Sequence, residues 1–208
     1  MSTERFVMKC DKDSVYMSRD KANHLYLIEF RAQNPKICID ALLTFDIYKM
    51  MYELNKKDLF DSYHIAFPDP ADPSRAELIF VFKSVMGLGE RYTHVYTHMP
   101  HLSYNQQQQL EQGQEYIIHI SSANVPNDAP SQLRHLIPQR AKQIDSDNSN
   151  ITIHVQSDRH AIQFNYKFKL QLSNPNDVIS IPPFVDKAIG AMMKNVFVRM
   201  KQFIEILG

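Results

Sequence analysis

Apolar residues near the end of the chain recur at helical spacing. Val185, Ile189, Met192, Val196, Met200, Phe203 and Leu207 follow one another at intervals of 4, 3, 4, 4, 3 and 4 residues. That period aligns them as one stripe along a helix. Phe184, Ala188, Met193 and Phe197 widen the stripe, while Lys187, Lys194, Arg199, Lys201 and Glu205 hold its polar side. The pattern predicts a helix over 182–208, opened by Pro182-Pro183 where the first amides need no intrahelical partner. At about 1.5 Å per residue it is on the order of 38 Å long, enough to cross a small domain. A helix this apolar must lie on an equally apolar surface, and the remaining pattern supplies a sheet.

Residues 24–30 form a short β-favouring run that Asn34-Pro35 breaks, and 37–54 reads as a helix. Ile37, Ala41, Phe45, Tyr48 and Tyr52 form its stripe, flanked by Leu42 and Met51. Residues 63–67, 77–85, 91–99 and 116–122 read as strands. They are separated by Pro68, Pro70 and Pro73, by Gly87 and Gly89, and by a polar tract at 105–109 that reads as an exposed loop. Residues 123–150 are irregular, and their prolines leave room only for a brief helical turn at 132–137. Strands at 151–156 and 161–172 follow, joined by a turn at 157–160. In the second, Ile162, Phe164, Tyr166, Phe168, Leu170 and Leu172 share one face, and Gln163, Asn165, Lys167, Lys169 and Gln171 the other. That alternation marks an antiparallel strand with one dry and one wet side. The fold class is therefore α+β, a twisted antiparallel sheet whose dry face is covered by the C-terminal helix, with 1–208 as a single domain.

Charge narrows the partners. Lys plus Arg and Asp plus Glu both number 23, so no electrostatic argument favours nucleic acid or an acidic membrane surface. The first ten residues carry charges where a signal peptide needs its apolar core, and no run approaches the roughly 18 apolar residues of a membrane span. Cys10 and Cys38 lack metal-like spacing, and a reducing cytoplasm is the expected setting.

Candidate chemistry is sparse. His94 and His98 share a strand face but stand about 13 Å apart, too far to hold one ion together. His119 and His154 fit neighbouring strands, where hydrogen-bonded histidines are commoner than a metal site. Ser121 and Ser122 follow His119 without a Gly-x-Ser-x-Gly elbow. Cys38, in the apolar part of the predicted helix, reads as a buried structural thiol. Gly87-Leu88-Gly89 joins two strands and so does not form a phosphate cradle. No catalytic residue, metal ligand or cofactor site is predicted.

The aromatic and methionine content is more informative. Ten methionines, ten tyrosines and twelve phenylalanines supply a bulky, adaptable lining. Met192, Met193, Val196, Phe197 and Met200 on the helix would face Phe164, Tyr166 and Phe168 across a pocket, expected at about 300–1,000 Å³.

Several ordered strings resemble the START domain, the steroidogenic-acute-regulatory-related lipid-transfer module with the helix-grip fold. Glu90-Arg91-Tyr92 after a glycine bend is similar to the family's Arg-Asp pair, with tyrosine in place of the aspartate. Ile118-His119-Ile120-Ser121-Ser122, then Pro126 and Pro130, resembles a strand ending in serine before a proline loop; Arg134 or Arg140 stands for the following arginine. Residues 166–172, Asn174-Pro175, Ile181-Pro182-Pro183 and the long helix resemble the family's last strand, turn and gripping helix. Phe60-Asp61 departs from it, where the family carries a tryptophan before the aspartate. The resemblance covers nearly the whole chain. It implies binding or transfer of a lipid or other apolar small molecule in a cavity between sheet and helix. The resemblance requires no catalysis and fits transient membrane contact, while the balanced charge already argues against a nucleic-acid partner. It also implies an arginine at Arg91 that would either hold a ligand carboxylate or remain a solvated surface charge. The alternatives on this fold are an aromatase/cyclase-like enzyme and a ligand-free regulatory or scaffold protein.

Overall fold

The computed structural model describes residues 5–8, 14–20, 25–84, 89–100, 112–146, 149–169 and 183–208, with the side chains of 5–8 and 183–189 left aside. Ten strands and two α-helices appear among them. β1 (Arg5–Met8), β2 (Val15–Asp20) and β3 (Leu25–Gln33) precede α1 (Asp46–Asn55). β4 (Phe60–Ala66), β5 (Arg75–Phe82), β6 (Arg91–His98) and β7 (Tyr116–Asn124) follow. Next come the two-residue β8 (Lys142–Gln143), β9 (Ser149–Val155), β10 (Ala161–Lys169) and the closing α2 (Pro183–Ile206). The sheet runs β1-β2-β3-β10-β9-β7-β6-β5-β4, with neighbours on that path antiparallel and β8 added in parallel to β6. This curved sheet grips α2, the α+β arrangement that the alternation predicts.

β10 sits near the centre of the path and keeps its predicted alternation from Ile162 to Phe168, whereas Lys169, predicted on the wet face, reaches the lining of the void described below. Ile162, Phe164 and Phe168 are buried and Tyr166 half-buried, while Gln163 and Lys167 face water. Leu170 and Leu172 lie outside the described residues. Opposite it, α2 starts at Pro183 and buries Val196, Phe197, Met200 and Ile204. Gly190 marks the closest approach to β2, since a Cβ there would stand 3.0 Å from the Met17 methyl carbon. Lys194, one turn further along, is buried too, although the stripe places it on the polar side. The end of α2 is tied down by Asn34, whose amide donates to the carbonyls of Ile204 and Leu207, both at 2.7 Å.

Local pattern and tertiary structure part at three places. The predicted helix at 37–54 is a 3-10 turn (Ile39–Leu42) followed by α1. Asp40 is held by Arg159 at 2.7 Å and by the Tyr116 hydroxyl at 2.9 Å, which fixes the turn against the β9–β10 loop. That turn leaves Cys38 exposed, correcting the expectation of a buried thiol. β1, β2 and β8 are strands that the pattern does not predict; β2 pairs with β1 and β3, and β8 with β6.

β5 is buried on both faces. The segment carrying a 3-10 turn at Arg134–Leu136 lies across its outer side, with Leu133 packing on Ile79 and Val81. This explains the continuous apolar run Leu78-Ile-Phe-Val-Phe82 in an otherwise alternating sheet.

Candidate functional site

Between α2 and the concave face lies a partly open void of about 100 Å³ among the described residues. Its walls come from many elements because strand alternation turns every second side chain inward. α1 contributes Tyr48 and Met51. β4, β5 and β6 contribute Phe60, Leu78, Phe80, Phe82, Thr93 and Val95. Ser122, Ile144, Ser146, Ser149 and Ile151 continue the wall, β10 adds Tyr166, Phe168 and Lys169, and α2 closes it with Met193, Val196 and Phe197.

Of the residues that the sequence proposes for ligand binding, Tyr166, Phe168, Met193, Val196 and Phe197 line this void. Phe164, Met192 and Met200 belong to the surrounding core: Phe164 stacks on Phe30 at 4.7 Å and meets Phe197 at 5.7 Å. Arg91 shares the inward face of β6 with Thr93 and Val95 and pairs with Phe82, but it is half-buried beyond the lining residues. The void is smaller than the expected range because aromatic rings occupy the space. Phe60 lies 5.2 Å from Phe80 and from Phe82, and Tyr166 lies 5.6 Å from Phe197.

Sequence reasoning missed the polar wall. Tyr48 Oη is buried without a hydrogen-bond partner among the described residues. Burial, with the Tyr166 phenol nearby, pushes Tyr48 well above the usual phenol range; the Ser122 and Thr97 hydroxyls pull the other way without reaching hydrogen-bond geometry. Thr97 and Ser122 share a hydrogen bond of 2.8 Å, and Ser149 donates to the Ser146 carbonyl at 2.8 Å. Burial also raises Tyr166, with Ser149 opposing it. Lys169 is the one charged side chain on the described lining, and Asp145 holds it at 2.9 Å. An orphaned buried hydroxyl costs about 1–3 kcal/mol. The signal for it was faint: Tyr48 falls on the predicted stripe of 37–54, and Ser122 ends a strand.

A second buried cluster lies on the opposite side of the sheet. Glu77 accepts from His94 Nε2 at 2.7 Å, from the Ser131 hydroxyl, and from the amides of Gln132 at 3.0 Å and Leu133 at 3.3 Å. The hydroxyl and the imidazole converge on the same carboxylate oxygen, and Ser131 Oγ also stands 3.5 Å from His94 Nε2. The cluster anchors the segment that covers β5. No group of three or more His, Cys, Asp or Glu side chains suited to a metal ion occurs among the described residues. His119 and His154 do fall on neighbouring strands, where His119 faces the Thr152 hydroxyl at 3.3 Å. No described helix is long and apolar enough to cross a membrane.

No sequence-family model matches the chain, and no curated protein sequence matches it. Solved structures do. The lipid transfer and protein localization domain of human StarD13 (DLC2) superimposes with a TM-score of 0.62 at 10% identity, covering 99% of this chain and 91% of that one. Human StAR-related lipid transfer protein 5 gives 0.62 at 9% identity, over 98% and 88%. A STAR-related lipid transfer protein fragment from Xanthomonas axonopodis gives 0.57 at 8% identity, over 96% and 98%. With a curved antiparallel sheet closed on a C-terminal helix over nearly its whole length, the chain has the START, or helix-grip, fold.

Proposed function

We propose that the protein binds a lipid or other apolar small molecule between the sheet and α2, as one START-like unit over 1–208. The observation that carries this reading is the void itself, walled by phenylalanine, methionine and aliphatic side chains and closed by a helix. The structural neighbours are named as lipid-transfer domains, which supports the same class of ligand. The reading is binding without turnover, in keeping with neighbours named as lipid-transfer proteins. A reducing cytoplasm and transient contact with a membrane surface complete the proposal.

Size sets a condition. An engineered apolar cavity of about 150 Å³ takes up benzene, so a whole lipid needs more room than the void offers. Met51 and Met193, unbranched and adaptable, are the side chains to move first, followed by α2 itself. The smallness of the void also favours a second reading, a regulatory or scaffold protein that uses the fold without a ligand.

Native mass spectrometry decides between them. The protein is purified without detergent and measured before and after incubation with a total lipid extract. A bound apolar mass in either state supports binding; a chain that stays empty through both overturns it in favour of the scaffold.

A further inference from the structure

We propose that Tyr48, Ser122 and Ser149 form a head-group subsite for an uncharged ligand that carries a hydroxyl at one end of an apolar body. The inference rests on the binding function proposed above and specifies its ligand. Hydrogen-bond inventory carries the argument. Tyr48 Oη is buried with no hydrogen-bond partner among the described residues and can donate or accept. Ser122 and Thr97 hold two hydroxyl protons but only one bond between them at 2.8 Å, so one proton remains to be donated. Ser149 spends its proton on the Ser146 carbonyl at 2.8 Å and is left with lone pairs. The wall therefore offers both donors and an acceptor.

A ligand hydroxyl satisfies both kinds at once. A carboxylate or phosphate only accepts, would face the Ser149 lone pairs, and needs a cation. Lys169, the charged side chain of the described lining, is already held by Asp145 at 2.9 Å. The phenols supply no positive charge in either protonation state, so they cannot take the place of a cation. The rest of the wall, including Phe60, Phe80 and Phe197, suits the apolar body.

Three probes of one shape separate the possibilities: p-cresol, p-xylene and p-toluate, titrated calorimetrically at neutral pH into wild type, Tyr48→Phe and Ser122→Ala. The expected result is p-cresol binding at least about ten-fold more tightly than p-toluate. Tyr48→Phe should weaken p-cresol about five-fold and leave p-xylene unchanged. Because the phenol has no partner among the described residues, Tyr48→Phe should melt at or above the wild-type temperature, which separates lost recognition from lost folding. Ser122→Ala should also weaken p-cresol selectively. Equal affinity for all three probes, p-toluate binding tightest and losing affinity in Arg91→Met, or p-cresol affinity unaffected by both hydroxyl deletions would each overturn the subsite. If no probe binds while lipid extract does, the subsite fails and the binding function stands; if neither binds, both fail.

Discussion

Glu77 is 1% exposed on the outer face of β5, a position where an unsatisfied charge would not persist. Burial pushes its pKa up, but the Ser131 hydroxyl, His94 and the amides of Gln132 and Leu133 outweigh it, and the net shift is below the ordinary value of 4.5. A carboxylate whose folded pKa is depressed contributes stability above its unfolded pKa and loses it as pH falls through the folded one. Wild type should therefore lose stability below about pH 4.5 to a greater extent than Glu77→Gln, read as urea midpoints across that range. An identical acid dependence in both proteins would show that the cluster contributes nothing. Glu77→Leu removes the acceptor for several buried donors at once and should destabilise by about 3 kcal/mol or more in the same assay. Asn34 acts by similar means, since its amide serves two carbonyls at the end of α2. Asn34→Ala should cost about 1–3 kcal/mol, and Asn34→Asp should cost more because it sets a carboxylate against those oxygens.

Among the elements, α2 matters most for the fold. Val196, Phe197, Met200 and Ile204 are each nearly fully buried by it. At about 1.5–3 kcal/mol per side chain their burial alone is worth about 6–12 kcal/mol, the size of a domain's whole net stability. Truncation after Ile181 should thus yield an insoluble or molten chain that binds a hydrophobic dye and shows no cooperative melt. A soluble truncation with a sharp transition would make the helix a detachable tail. α1 is held more lightly. Arg199 on α2 donates to the Asn55 side chain at 3.2 Å and to Asp58, and reaches the Leu54 carbonyl at 3.4 Å.

That clamp matters for the whole molecule, because α1 and α2 each contribute to the wall of the void. If a ligand enters by parting the two helices, Arg199→Met should speed amide hydrogen exchange across α1 while leaving the central strands β3 and β10 protected. The same variant should load a lipid extract faster in the native mass spectrometry assay. Unchanged exchange in α1 would place the entry route elsewhere.

Local periodicity alone determined the last helix and the central strand. The 4-3-4-4-3-4 stripe and the alternation of 162–168 reflect backbone geometry, which every neighbouring residue repeats. They were legible together with the turns that proline and glycine enforce, and with the order of elements that the helix grip requires. Tyr166, Phe168, Met193, Val196 and Phe197 followed from the same periods. What tertiary structure decided has no period. The predicted helix at 37–54 divides into a 3-10 turn and α1, and Asp40 in that turn is tied to Arg159, 119 residues away. β2 pairs with both β1 and β3, and Lys194 is buried although it falls on the polar side of the stripe. Above all, the void is a difference between large volumes, the space inside the curved sheet and the rings that nearly fill it. Its polar wall gathers Tyr48, Ser122 and Ser149 from three separate elements, which only the folded chain brings to one void.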